Sequence, residues 1–175
     1  LQLMPGLAVT VGSSDLPFGV TAADLDRDGD LDIAVCDYLG GSVHIIPGTA
    51  VPFVFGQEKV ITLAGGPVDV VAADFTGDNV LDLAVSRIGM SDIVVLRNDG
   101  NLEFSSFLDV PVGQAPTYLI TADFNRDNRA DLVVSNGNSG TISVLFATAT
   151  GFTGQSYPAG STPTALLAGD LTGDG

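Results

Sequence analysis

The apolar residues of this chain fall in short runs separated by polar breaks rich in glycine and proline, and no long stretch shows helical periodicity. The pattern is clearest over residues 116–158. Residues 116–122 form a β-prone run opened by Pro116, and an acidic segment, 123–131, follows directly. Residues 132–135, Leu-Val-Val-Ser, read as a second strand rich in β-branched side chains. The segment 136–140, Asn-Gly-Asn-Ser-Gly, reverses the chain, 141–146 supplies a third strand, and 152–157 a fourth.

The same succession occupies the rest of the chain. Residues 33–35 and 83–85 stand in the second-strand place, and 43–46 and 93–96 in the third. Pro17, Pro67, Pro116 and Pro163 open the first strand of a unit, while Phe55, Phe104 and Phe152 stand near the start of the fourth. The fold class expected is all-β, and four short antiparallel strands every 47–50 residues are the unit of a β-propeller blade. One propeller segment is expected, with repeats at approximately 1–15 (a partial outer strand), 16–65, 66–114, 115–161 and 162–175 (partial), about 3.5 blades in all. The central strands are apolar on both faces, as blades stacked between two neighbours require. Closed propellers have about four to eight blades, and three alone would leave two apolar faces in water. Further blades are therefore expected, from the same longer chain or from another subunit.

Between the first and second strands of each unit lies an aspartate-studded loop. The copies begin at Asp24, Asp74, Asp123 and Asp170, at spacings of 50, 49 and 47 residues, and the fourth is cut short at Gly175. Oxygen-bearing side chains occupy positions 1, 3, 5 and 9: Asp24, Asp26, Asp28 and Asp32; Asp74, Thr76, Asp78 and Asp82; Asp123, Asn125, Asp127 and Asp131; and Asp170, Thr172 and Asp174 of the truncated copy. This is the donor set a hard cation such as Ca2+ takes. Position 7 (Asp30, Val80, Arg129) has no consistent side chain, which suits a backbone carbonyl ligand. Position 6 (Gly29, Asn79, Asn128) carries residues tolerant of a left-handed turn. An EF-hand loop would end in a bidentate Glu at position 12, but Val35, Val85 and Val134 stand there instead. The absence of a Cys/His cluster argues against zinc. Three complete Ca2+ sites and a truncated fourth are expected.

The pattern D-x-[DNT]-x-D-[GN]-x-x-D between two strands, in blades of about 50 residues, resembles the FG-GAP/VCBS-type repeats, which include the calcium-binding blades of integrin α-subunit propellers. Residues 122–134 are most similar to the bacterial members. The resemblance spans essentially the whole chain, although in the fourth-strand place the name-giving Phe-Gly pair survives only as Phe55-Gly56, with Phe104-Ser105 and Phe152-Thr153 in the other units. It implies a ring of seven blades in which calcium holds the hairpin between the first and second strands.

Charge and composition narrow the function. Six Lys plus Arg stand against 21 Asp plus Glu, a net charge of −15 that argues against nucleic acid and anionic lipid. The four loops hold 13 of those acids, so four divalent ions would bring the charge to −7. No apolar run approaches a membrane span. Cys36 is the only cysteine and reads as a buried strand residue. His44, the only histidine, replaces Val94 and Ser143 in the repeat register and reads as packed between blades. Glu58 and Glu103 read as solvated and unpaired, and Asp15, Asp69 and Asp109 show no partner pattern. No acid, base and nucleophile converge, so a non-catalytic chain is expected. The expected function is a calcium-stabilised extracellular module, secreted or at the cell surface, for binding, adhesion or surface assembly. Its protein or glycan ligands would meet the blade-edge loops 38–41, 87–91 and 136–140. A carbohydrate-binding module attached to a secreted enzyme is the alternative, with no Trp and three Tyr counting against sugar-stacking platforms.

Overall fold

The computed structural model describes residues 16–52 and 54–169, and Asp15, Asp170, Thr172, Asp174 and the expected outer strand within 1–15 lie outside this range. Twelve strands form three four-stranded antiparallel sheets. The first holds β1 (Pro17–Ala23), β2 (Asp32–Asp37), β3 (Ser42–Ile46) and β4 (Lys59–Thr62). The second holds β5 (Pro67–Ala73), β6 (Asp82–Arg87), β7 (Asp92–Asn98) and β8 (Phe104–Pro111). The third holds β9 (Pro116–Ala122), β10 (Asp131–Asn136), β11 (Thr141–Thr148) and β12 (Gly151–Pro158). In every sheet the spatial order is the chain order. The repeats also share a defect, a register shift where the first strand meets the end of the second, at Pro17/Val20, Pro67/Asp69 and Val134/Asn136. Each shift lies beside the proline that opens the strand and cannot donate to the ladder.

Two strand starts differ from expectation. Phe55 precedes β4 by four residues, because Pro47 ends β3 and the intervening segment closes through Gly56 N–H to Pro47 O (2.8 Å). Pro163 opens no strand, since residues 159–169 are irregular.

The apolar core lies between the sheets. One cluster joins Ala34, Val43 and Ile45 of the first sheet to Leu83, Val85, Val94 and Leu96 of the second. The other joins Ala84, Ile93 and Val95 to Leu119, Leu132, Val134 and Leu145 of the third. Alternate residues of β6 and β7 thus face opposite neighbours, the period-2 geometry that makes a central strand apolar on both faces. The recurrent phenylalanines wedge these seams. Phe104 packs on the first cluster and Phe152 on the second, the latter 6.1 Å from Phe75.

The first strands of the three sheets lie side by side, with β5 between β1 and β9. Gly19 permits this, because a Cβ there would collide with Asp69. Asp69 Oδ2 accepts Leu119 N–H (2.9 Å), and Ser86 Oγ donates to Thr117 O (2.9 Å), so two polar bonds tie β5 and β6 to β9. Cys36 holds the place of Ser86 in the first sheet. It is fully buried, and burial, with the nearby Asp69 charge, keeps its thiol protonated well above the ordinary range.

Buried polar locks close the strand ends beside the turns between second and third strands. Arg87 grips Asp92 through Nε (2.9 Å) and Nη2 (2.7 Å), and reaches Asp109 through Nη2 (2.8 Å). Asn136 Nδ2 donates to Thr141 Oγ1 (3.1 Å) and Ser143 Oγ (2.9 Å). In the first sheet, His44 links Ser42 Oγ at Nε2 (3.0 Å) to Glu58 Oε1 at Nδ1 (2.8 Å). The expectation that the glutamates are unpaired is therefore corrected: Glu58 meets His44, and Glu103 meets Lys59 Nζ (2.6 Å). Asp69 and Asp109 likewise have partners distant in sequence, Leu119 and Arg87.

Burial raises the Asp69 carboxyl above its ordinary 3.8, against backbone N–H donors from Leu119 and Val70 that pull it down. A carboxyl raised by folding supports the fold fully below 3.8 and withdraws that support as pH climbs through its folded value. Asp69→Asn cannot ionise, so its urea-derived stability should fall less than that of the wild type between pH 3.8 and neutrality. Parallel pH profiles would show that Asp69 titrates as an ordinary carboxyl.

Candidate metal centre

The three acidic loops adopt one conformation. The position-1 carboxylate accepts the position-6 N–H in each: Gly29 on Asp24 (3.1 Å), Asn79 on Asp74 (2.8 Å) and Asn128 on Asp123 (2.8 Å). The position-5 carboxylate accepts the position-7 N–H: Asp30 on Asp28 (2.8 Å), Val80 on Asp78 (2.8 Å) and Arg129 on Asp127 (3.0 Å). The position-5 bonds are Asx turns, and with the position-1 bonds they coil the chain into a tight loop. Gly29 (φ 94°), Asn79 (64°) and Asn128 (65°) are left-handed, as their residue types indicate. Position 4 is left-handed as well, at Arg27 (66°), Gly77 (80°) and Arg126 (62°). Only Gly77 carries a local signal for that, because the two arginines are held there by the turns on either side.

Position 9 shows a role beyond the expected ligation. Asp32, Asp82 and Asp131 are wholly buried, and both oxygens of each accept backbone N–H groups. One oxygen takes Leu25, Phe75 or Phe124 at the loop entrance (2.8, 3.0 and 2.9 Å). The other takes Gly48, Asn98 or Ala147, sixteen residues on in each case (2.8, 2.9 and 2.8 Å). Each carboxylate therefore staples the loop to the far end of the third strand. Burial pushes the Asp82 carboxyl upward, opposed by the amides of Asn98 and Phe75.

The loops also hold features that suit a cation. Carboxylate oxygens of Asp24, Asp26 and Asp28 lie within 4.8 Å of one another. Desolvation, then the charges of Asp32, Asp28 and Asp24, raise the Asp26 carboxyl against the Asp28 N–H. Asp24 Oδ1 is buried without a hydrogen-bond partner. Thr76 Oγ1, at position 3 of the second loop, is buried beside the Asp82 carboxylate and completes no well-formed hydrogen bond. Only oxygen is offered, and like charges about 4 Å apart repel by ~1–4 kcal/mol per pair at surface-like dielectric. In the third loop Asn125 partly offsets that, its Nδ2 donating to Asp127 Oδ2 (3.2 Å). The Asp24, Asp26 and Asp28 carboxylates of the first loop fit a hard divalent ion, whereas among the described residues the second and third loops bring no three carboxylates together.

The turn segments expected to carry recognition are less available than their sequence suggests. Arg87 and Asn136 point inward, into the polar locks, and are 8% and 0% exposed. The exposed apolar groups near these turns are Leu39 and Met90, with Tyr38 packed edge-on to Phe18 at 5.7 Å.

Asp82→Ala would leave three amides (Phe75, Thr76 and Asn98) without an acceptor. Buried unsatisfied donors cost about 1–3 kcal/mol each, so urea titration should show a loss of at least about 3 kcal/mol that persists in chelator. A loss seen only with metal would reduce the residue to a ligand. Gly77→Ala has open space for its methyl group but forces alanine to φ 80°, and should cost about 1–2 kcal/mol in the same titration.

No family model and no curated protein matches this chain. Among solved structures it is similar to BBS1N in complex with ARL6DN, soaked with lead, with a TM-score of 0.62 and 20% identity over 91% of this chain. A second, soaked with mercury, gives a TM-score of 0.60 and 21% identity over 87%. The chain spans 50% and 47% of those two chains. BBS1N is a β-propeller, and likeness at this identity carries the fold: the three sheets described above are successive blades of a partial β-propeller.

Proposed function

We propose that this chain is part of a calcium-stabilised β-propeller that works outside the cell as a non-catalytic scaffold for binding, adhesion or surface assembly. The observation that carries the reading is the oxygen-only loop repeated three times, its carboxylates within 4.8 Å of one another at Asp24, Asp26 and Asp28 of the first copy, with Asp24 Oδ1 and Thr76 Oγ1 buried and poorly satisfied. Calcium takes six to eight oxygen ligands and tolerates irregular geometry, which suits side chains at positions 1, 3, 5 and 9 with a carbonyl at position 7. The ion would neutralise carboxylates that otherwise repel, while the turn bonds already hold the loop near its final shape. Seven blades, as in the FG-GAP/VCBS-type repeats that the loops resemble, would cover the outward faces of the first and third sheets.

Extracellular calcium modules bind with Kd of roughly 10⁻⁴–10⁻³ M, matched to the millimolar calcium outside cells, and the loops would act as such a module. Rigid blades with exposed Leu39 and Met90 at their turns support a role in protein recognition. BBS1N, the propeller to which the chain is similar, is itself in complex with the protein ARL6DN. Among the described residues no helix is long and apolar enough to cross a membrane.

Excess chelator should lower the melting temperature, and calcium should restore it. Mass action gives about 2.7 kcal/mol per site at a hundredfold excess over Kd. Asp24→Asn should remove the first loop's share of that response. A melt indifferent to chelator would overturn the calcium reading. Treating intact source cells with a non-permeant protease should degrade the protein, and full protection would overturn the extracellular assignment.

A further inference from the structure

The first strands of the three blades share a backbone plan but carry different side chains where they begin. Gly19, Asp69 and Tyr118 hold one place, each two residues after the proline that opens its strand. Asp69 N–H donates to Ser86 Oγ (3.1 Å) as Tyr118 N–H does to Ser135 Oγ (3.0 Å). Phe18, Val68 and Thr117 hold the place before it. Successive side chains of a strand normally point to opposite faces, but the register shift at the start of each first strand breaks that alternation. All six residues line one cavity of about 290 Å³.

The cavity joins a carboxylate to two aromatic side chains. Phe18 and Tyr118 are 54% and 47% exposed, so neither ring is spent on the core. Asp69 stands on the strand between theirs, and a Cβ on Gly19 would collide with its Oδ1, so only glycine there leaves the carboxylate its place. Its oxygens accept Val70 N–H (3.0 Å) and Leu119 N–H (2.9 Å). No cation pairs with it among the described residues, whose ion pairs all lie elsewhere. None of the chain's six Lys and Arg lines the cavity. A partly buried carboxylate without a counter-charge is costly, and the net charge of −15 adds to the negative potential around it.

We propose that this cavity binds a small quaternary ammonium cation of the choline type, its methyl groups against Phe18 and Tyr118 and its charge beside Asp69. Aromatic rings attract cations, and more strongly out of water. A primary ammonium or a guanidinium needs an acceptor for every N–H it brings in, and the Asp69 oxygens already serve the amides of Val70 and Leu119. A quaternary ammonium donates no hydrogen bond, so it asks only for negative charge and aromatic surface. An anion would be repelled by the same carboxylate. The volume lies just under the range of drug-sized ligand pockets, about 300–1,000 Å³, which suits a small ion. The proposal goes beyond the calcium reading and does not depend on it.

The test titrates choline into the labelled chain and follows amide chemical shifts, beside the dimethylbutanol in which carbon replaces the nitrogen, ethanolamine, and phosphocholine. Choline should shift Val70 and Leu119, whose N–H groups donate to Asp69, and the uncharged isostere should be weaker by about tenfold or more. Ethanolamine, a primary ammonium, should also be weaker than choline. Phosphocholine separates a lipid headgroup from a free cation, and the acidic chain should hold it less well. Asp69→Asn removes the charge and keeps the shape, and should weaken choline by about tenfold. Should that variant fail to fold, Tyr118→Leu removes a half-exposed ring and should weaken choline several-fold. Equal affinity for choline and its uncharged isostere, ethanolamine matching choline, or phosphocholine binding more tightly than choline would each overturn the proposal. So would unshifted Val70 and Leu119 signals, or undiminished binding to a folded Asp69 or Tyr118 variant.

Discussion

The buried aspartate at the start of each second strand is the constraint on which the rest of the molecule depends. Its side chain has no exposure, yet it satisfies amides from the loop before it and from the end of the third strand. Three segments distant in sequence are thus fixed to one group. A buried carboxylate is expensive unless hydrogen-bonded, and here the backbone donors that compensate it would themselves be costly to leave unpaired. Loop shape, strand register and the alignment of each seam follow from that exchange.

This division of labour changes how a metal would act. The position-1 and position-5 carboxylates already accept loop amides, so the turn does not wait for an ion to give it shape. What it lacks is relief of the negative charge gathered in the loop and a partner for oxygens such as Asp24 Oδ1. Calcium would then add stability to a formed turn, in contrast to sensor loops where binding drives a large rearrangement.

Much of the fold was legible because its information is local. Period-2 apolar runs, prolines at strand starts and Asp-rich loops at a fixed spacing each act within a few residues, and β5 and β9 begin at Pro67 and Pro116 as the sequence indicates. Contacts between blades were not legible. Asp69 finds Leu119 fifty residues away, and Arg87, which looks like a turn residue, is drawn inward by Asp92 and Asp109. Local periodicity contains no term for such pairs. The loop's second left-handed position was half visible, with glycine at position 77 but arginine at 27 and 126. The position-9 staple was readable only by following each aspartate sixteen residues on, where Gly48, Asn98 and Ala147 share no chemistry because the backbone amide does the bonding.

Because the apolar clusters lie between the sheets, no blade owns a core. The stability of one blade is then a property of its neighbours, as in a one-dimensional chain of coupled units. The middle sheet gains from two couplings and each outer sheet from one among the described residues. In an open array of such units opening would begin at the ends and travel inward, grading amide protection along it. Closing such an array into a ring would do more than add interfaces, since it would remove the ends at which unfolding starts.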